Sequence, residues 1–259
     1  MKIADLHIHS SLSDGVRSPE NIVDFAENMK VLDKIYITDH DNIDGSLRAR
    51  DHALKHNYNI DIGIGSEISS EDCHVVALGI KHNIKKGRSV IDTAQDIISD
   101  GGFPIIAHPF NPFFRLRHIP GESIVKLLQK EKIPFAIEVN GSLNYQTIPY
   151  KNRKILNKTV SISRSNLSTI NLANKYNVTI VGASDAHMLR AIGSAYTLYE
   201  DDLVYDIKSN KVSYGFIFAD RRESMPYIGY HMLFDPIPIN MLYKRKFLNI
   251  IPKAKNKKN

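Results

Sequence analysis

Cysteine is almost absent from this chain. The one thiol, Cys73, excludes an intrachain disulfide, which fits a reducing, cytoplasmic setting. No apolar run reaches the ~18–20 residues of a membrane span, so a helical membrane protein is not expected. Met1-Lys2 leads straight into a strand-like segment, without the pattern of a signal peptide. Internal repeats and a linker are also missing, which points to one domain. After Asn240 there is no acidic residue at all, while Lys244, Arg245, Lys246, Lys253, Lys255, Lys257 and Lys258 crowd into that stretch. Without those seven, 27 basic residues face 28 acidic ones, so the net charge of +6 belongs to the end of the chain. Residues 241–259 therefore read as a basic, disordered tail on a domain of residues 1–240. The alternative is a weak electrostatic grip on nucleic acid or another polyanion.

What the chain does have is histidine beside carboxylate. Asp5-Leu6-His7-Ile8-His9 is followed by Asp14. Thr38-Asp39-His40-Asp41, Ala107-His108-Pro109 and Ser184-Asp185-Ala186-His187 come later. Imidazole and carboxylate are ligands of zinc, manganese and iron. Four such clusters over about 180 residues are too many for one mononuclear site. They suggest a pocket where several strands converge on two or three ions.

Strand-like and helix-like segments alternate. Strands are expected over residues 2–6, 34–38, 60–66, 75–80, 103–107, 135–139 and 178–183, with additional ones over 194–198 and 212–218. Helices are expected over 20–29 with Pro19 at the start, over 44–55 with Asp44 as N-cap, over 89–99 and over 122–131. A polar stretch to Tyr150 precedes a basic segment that reads as helix, and residues 200–240 read as irregular. Connections of helix-plus-loop length imply parallel strands. His7, His40, Glu67, His108 and Asp185 fall just past predicted strand ends. In barrel-like α/β folds those ends share one face and build the active site.

Local chemistry refines the candidates. His7 and His9 repeat at the two-residue period of a strand and can chelate together, and Asp185 and His187 repeat the pattern. Asp5 is expected to orient His7 or His9, with capping of a backbone group as the alternative. Asp14-Gly15 reads locally as a turn, from which Asp14 could swing back as an oxygen ligand. Asp39 and Asp41 could orient ligands, relay protons or cap a helix. Glu67 ends an apolar strand, and its carboxylate can bridge two cations. His74 is a candidate ligand, and Cys73 reads as core packing rather than a ligand. His52, His56, His82, His118 and His231 lack this context and are left out.

Taken in order, these segments resemble the PHP (polymerase and histidinol phosphatase) superfamily of metal-dependent phosphoesterases. The likeness covers roughly the first 200 residues. Asp5 to His9 with Ser13-Asp14-Gly15 is similar to the first motif, Thr38-Asp39-His40 to the second, Ala107-His108-Pro109 to the third and Ser184-Asp185-Ala186-His187 to the fourth. Gly65-Ser66-Glu67-Ile68-Ser69 resembles the segment of the bridging glutamate, and His74 its following histidine. The resemblance implies a distorted (β/α)7 barrel with a short C-terminal extension and a site for three divalent ions, manganese, zinc or iron. By motif, His7, His9, Glu67 and Asp185 would surround the first ion, Glu67, His74 and His108 the second, and Asp14, His40 and His187 the third. Some relatives have His where this chain has Asp14, a harder ligand that favours manganese or iron.

Such sites work mainly by charge. Two ions ~3.5–4 Å apart can clamp the attacking and leaving oxygens of an in-line displacement. The expected reaction is hydrolysis of a phosphate ester by a metal-bound hydroxide, without a nucleophilic serine or cysteine. Arg17, Arg115, Arg117 and Arg190 lie close in sequence to the ligand motifs and could bind phosphate through their planar forks. The opening and the Gly65–Ser69 segment look closer to relatives that hydrolyse 3′,5′-bisphosphorylated nucleotides or short oligonucleotides. Histidinol-phosphate phosphatase is the runner-up, and a metal-binding regulatory protein without turnover is the reading from another class.

Overall fold

The computed structural model describes residues 1–111, 121–145, 147–151 and 159–216. Arg115, Arg117, the expected boundary at residue 240 and the basic tail lie outside the described residues. Seven strands form the wall of a barrel: β1 (Lys2–Ile8), β2 (Lys34–Ile37), β3 (Asp61–Ser69), β4 (His74–Leu78), β5 (Phe103–Ile106), β6 (Ala136–Asn140) and β9 (Thr179–Ala183). Two further strands, β10 (Ala195–Tyr199) and β11 (Ser213–Phe216), extend the sheet from the edge of β1. The paired strands β7 (Thr147–Lys151) and β8 (Thr159–Ser163) form a separate sheet, and most of the basic segment expected to be helical, residues 152–158, lies outside the described residues. Helix α5 (Arg164–Tyr176) begins only after β8, capped by the Ser163 hydroxyl, which accepts from Asn166 N at 3.1 Å.

The other helices are α1 (Pro19–Met29), α2 (Asp44–His56), α3 (Val90–Ser99), α4 (Gly121–Lys130) and α6 (Leu203–Lys208), the last in a stretch expected to be irregular. Ser18 and Ser89 cap α1 and α3 through their hydroxyls. Asp44 is the first helical residue of α2 rather than its cap, because the Asn42 side chain accepts from its amide at 2.8 Å. Ile22, Val23 and Ala26 of α1 pack with Ala49 and Ala53 of α2 against Ile35 and Ile37. Inside the barrel, Ala4, Leu6, Tyr36, Val76, Leu78, Phe103, Ile105, Ala136 and Val181 form a separate cluster.

Not every wall strand runs the same way. β1, β2 and β3 are parallel, as are β5, β6 and β9, but β4 is antiparallel to both neighbours. The link from Ser69 to His74 is too short for a parallel crossover, which needs a dozen or more residues. Pairing with β4 also carries β3 through to Ser69, so Glu67 lies inside the strand rather than past its end. Because β4 is reversed, its first residue, His74, stands at the same end of the barrel as the last residues of its neighbours.

Closure brings β9 back beside β1 and β10. His9 N donates to Ala186 O at 2.8 Å, and Thr197 Oγ1 donates to Gly182 O at 2.8 Å. A Cβ on Gly182 would lie 2.4 Å from Tyr196 O, so the close approach of β9 to β10 requires glycine there.

A second close approach holds the site's loop. Asp39, just past β2, accepts from Ser10 N at 2.7 Å, Ser10 Oγ at 2.6 Å and Ser13 Oγ at 2.7 Å, which fastens the loop that carries Asp14. Gly45 leaves room for that carboxylate, since a Cβ there would stand 1.9 Å from Asp39 Oδ2. Gly45→Ala gains at most ~1 kcal/mol of helix propensity. Overpacking costs about 1–3 kcal/mol and also pushes on Asp39, so the net effect is a loss. The expected outcome is a lower Tm in thermal unfolding, and an unchanged or raised Tm would contradict this account of the loop.

Candidate metal centre

All nine candidate ligands converge at one end of the barrel, around the Glu67 carboxylate. Its Oε2 is 3.2 Å from His7 Nε2, 3.2 Å from His9 Nε2 and 3.3 Å from His40 Nδ1. Its Oε1 is 3.0 Å from His74 Nδ1 and 3.0 Å from His108 Nε2. Asp185 Oδ1 lies 3.2 Å from His9 Nε2 and 3.6 Å from His7 Nε2. Asp14 lies opposite, with Oδ1 3.3 Å from His9 Nδ1 and Oδ2 3.1 Å from His187 Nε2 and 3.6 Å from His40 Nε2. Donor atoms gather in four overlapping sets: His7, His9 and Asp185; His9, Asp14 and His187; His9, His40 and Glu67; Glu67, His74 and His108.

Burial is graded across the centre. Side chains of Glu67 and His7 are at most 1% exposed, while His40, His187 and Asp14 reach 29%, 38% and 52%. The site therefore opens on the Asp14 side. Two of the nine, His108 and Asp185, have positive φ of 27° and 53°, as does Asp41 next to His40, at 54°. Such conformations are disfavoured for residues with a Cβ and concentrate at functional sites.

Charge in the cluster is strongly coupled. Burial opposes protonation of His7, but Glu67, Glu138 and Asp185 outweigh it and hold its pKa well above the usual imidazole value. For His9, bonds to Asp185 and Glu67 outweigh burial and raise the pKa to about 9. His40 and His108 are raised against burial by Asp14 and Glu67 respectively, with Glu67 adding charge at His40. Burial would raise Glu67, Asp14 and Asp185, yet the surrounding imidazoles pull all three below the ordinary carboxylate range.

The donor set fits divalent ions. His7 Nε2 and His9 Nε2 approach to 3.0 Å, and both lie 3.2 Å from Glu67 Oε2, so at most one of these three contacts can use the same ring proton. His40 Nδ1 is buried and makes no hydrogen bond, despite lying 3.3 Å from Glu67 Oε2. Imidazole nitrogens and carboxylate oxygens that converge this closely from several strands are the ligand types of zinc, manganese and iron.

Residues near the candidates have structural roles. Asp5 does not reach an imidazole, contrary to expectation. It accepts from the amides of Ser184 at 2.9 Å, Gly193 at 2.8 Å and His7 at 3.4 Å, and burial raises its pKa to about 6 against those bonds. The cause is a register shift between β1 and β2 from Asp5 to Ile8, which breaks the strict alternation the expectation assumed. Asp41 accepts from Ser69 N at 2.8 Å and fastens the β2–α2 loop to β3. Cys73 packs in the core, its thiol pushed up to about 12 by burial. His52 contacts Asp24 on the α1–α2 surface and His82 contacts Asp100, both outside these donor sets. Of the candidate arginines, Arg17 lines a narrow cleft with His9 and His187, and Arg190 is exposed on the turn after His187. Sequence reading missed Glu138, whose carboxylate meets His7 Nδ1 at 2.8 Å. The available signal was Glu138-Val139-Asn140, the same alternate-residue polar pattern at a strand end as His7 and His9.

Comparison with known proteins agrees with this geometry. The PHP domain family model matches residues 5–91, and the PHP-associated model matches residues 163–212. An uncharacterised protein of Methanocaldococcus jannaschii is 32% identical over 120 residues, 42% of this chain and 68% of that one. A two-domain protein from Bacteroides vulgatus, containing a predicted PHP-like metal-dependent phosphoesterase, superposes with a TM-score of 0.61 at 20% identity. That match covers 83% of this chain, which spans only 64% of the larger protein. A lesion-specific endonuclease from Pyrococcus furiosus superposes with a TM-score of 0.50 at 16% identity, covering 80% of this chain and 55% of that one. With both family models matched in order on a seven-stranded barrel, the chain belongs to the PHP family of metal-dependent phosphoesterases.

Proposed function

We propose that this protein hydrolyses a phosphate ester of a nucleotide, of the 3′,5′-bisphosphate type, or of a short oligonucleotide, at a centre of three divalent ions. The observation that carries the reading is Glu67, one buried carboxylate within 3.3 Å of five imidazole nitrogens, with Asp14 and Asp185 completing the ring. Bound divalent ions supply Lewis-acid charge for phosphate oxygens and for the activation of water. The chain's own residues hold that charge in place. Glu67 is shared between the His7/His9 side and the His74/His108 side, while Asp14, His40 and His187 form the open side that a substrate meets first. Arg17 lines a cleft with His9 and His187, and Arg190 is exposed on the turn that follows His187; these are the arginines proposed to receive the remaining phosphate charge. Two features support a nucleic-acid-type substrate: the likeness of the Gly65–Ser69 segment to nucleotide-hydrolysing relatives, and the endonuclease that shares the fold. Among the described residues no helix is long and apolar enough to cross a membrane.

Phosphate release decides the substrate. Protein loaded in turn with zinc, manganese and iron is expected to act on 3′,5′-bisphosphorylated nucleotides or short oligonucleotides in preference to histidinol phosphate. The opposite preference would install the runner-up, and no release from any compound by metal-loaded protein would favour a binding role.

Glu67→Ala is expected to reduce the bound metal and slow hydrolysis by more than ~100-fold, beyond the 10–100-fold typical of residues that only support a ligand. Unchanged metal content and rate would refute the bridging assignment. Metal binding should also expel protons. His9 in the metal-free protein titrates near pH 9, so below that value an incoming ion displaces its proton and apparent zinc affinity rises with pH up to about 9. Calorimetric titration in buffers of different ionisation enthalpy measures the proton count, and a count of zero would contradict the charge balance. Removal of residues 250–259 is expected to spare hydrolysis of a small substrate and to weaken oligonucleotide binding at low salt. Loss of small-substrate turnover in a folded truncated protein would place the tail in the site.

A further inference from the structure

One buried carboxylate at the centre is not among the nine ligands. Glu138, 1% exposed, stands on β6 and shares the interior-facing alternation of Ala136 and Asn140. Its Oε2 is 2.8 Å from His7 Nδ1, and its Oε1 accepts from Asn140 Nδ2 at 2.5 Å. The same Asn140 amide donates to Asp185 Oδ2 at 3.1 Å. Its orientation is set by a third bond: Asn140 Oδ1 accepts from Leu143 N at 3.1 Å, so the amide NH2 must face the two carboxylates. The Asn140 backbone is clamped in turn by α5, since its N donates to Asn166 Oδ1 at 2.8 Å and its O accepts from Asn166 Nδ2 at 2.8 Å.

Glu138 meets the ring of His7 at the nitrogen that faces away from the cluster. The other nitrogen, Nε2, is the one 3.0 Å from His9 Nε2 and 3.2 Å from Glu67 Oε2. A carboxylate can only accept, so the contact places a proton on Nδ1 and leaves Nε2 as the atom available to a cation. Asn140 links this anchor to Asp185, which belongs with His7 and His9 to one donor set.

We propose that Glu138 is a positioning residue: with Asn140 it ties His7 and Asp185 into one unit, fixes His7 in the tautomer that presents Nε2, and so sets the affinity of the His7/His9/Asp185 position apart from the others. The inference rests on the reading of the cluster as a metal centre. A neutral amide cannot replace the carboxylate here. Glu138 accepts on two oxygens from two donors, whereas glutamine has one oxygen and would turn an NH2 toward either His7 Nδ1–H or the Asn140 amide.

The test uses the full chain loaded with zinc, with bound zinc measured after a chelator challenge and the imidazole nitrogens observed by 15N NMR. The wild-type protein is expected to show His7 protonated at Nδ1. Glu138→Gln is expected to lower zinc affinity at one position by about 10–100-fold, releasing about one zinc per chain, and to shift the His7 nitrogen resonances. The zinc held by Glu67, His74 and His108 should stay. Glu138→Asp, which keeps the charge, should recover part of the lost affinity. Full zinc retention with unmoved His7 resonances in Glu138→Gln would overturn the proposal. Should that variant fail to fold, the wild-type spectrum still decides, because zinc-loaded protein with His7 protonated at Nε2 overturns it equally. Wild-type protein that binds no zinc, manganese or iron would overturn the metal-centre reading, and this proposal with it. The two failures are therefore distinct.

Discussion

A carboxylate taken out of water must find positive charge, and a ring of imidazoles brought together must find negative charge. Glu67 meets both requirements at once. Its side chain is 1% exposed, yet five histidine rings from β1, β4 and the ends of β2 and β5 approach its two oxygens. An isolated buried ion costs several kcal/mol, which excludes arrangements in which any of these strands strays from the rest. The barrel end and the cluster therefore determine each other. The strands deliver the charges, and the charges penalise any register that separates them.

The reversed strand shows how the wall serves this centre. In an all-parallel barrel, β4 would begin at the far end and place His74 away from Glu67. A four-residue connection turns the chain straight back instead, and β3 and β4 pair as a hairpin with Ser69 opposite His74. The same hairpin keeps Glu67 inside a paired strand, with its amide hydrogen-bonded to Thr38 O at 3.1 Å. A residue held on both sides by sheet bonds has little freedom to retreat from the ions it is proposed to share. His40 and His108, by contrast, stand on loops, and the left-handed backbone at His108 and Asp185 aims side chains that a regular strand would point elsewhere.

Much of this was legible in the sequence because the chemistry recurs at strand ends. His7, His9, His40, Glu67, His108, Asp185 and His187 each sit beside an apolar run, and the order of runs and ligands was enough to anticipate a site at converging strand ends, while the seven-stranded barrel was what the resemblance to the PHP superfamily implied. The direction of β4 was legible too, but only from loop length, which weighs more than the average spacing of the other connections. Asp5 was misread because the two-residue period holds only while register holds, and β1 slips against β2 between Asp5 and Ile8. Glu138 was passed over because the alternation of Glu138 and Asn140 holds no histidine to mark it as part of the site. Only the fold places it opposite His7, 131 residues away.

Rigidity and access are divided across the centre. On the buried side, Glu67, Glu138, Asn140 and Asp185 are joined by strand pairing and by bonds through His7 and Asn166. On the open side, Asp14 belongs to a loop whose main anchor is Asp39, through Ser10 and Ser13. Asp14 is half exposed, and its contacts to His9, His40 and His187 pass through one carboxylate on a loop held by turn bonds rather than by a strand ladder, Gly15 N donating to Ser10 O at 2.9 Å and Val16 N to His187 O at 3.0 Å. Among the described ligand side chains, Asp14, His40 and His187 are the most open to solvent, which makes theirs the face proposed to meet a phosphate. Binding there would engage the more exposed donors and leave the Glu67 hub buried. A substrate-facing position that adapts, backed by one that does not, lets the charge stay concentrated while the ester is exchanged.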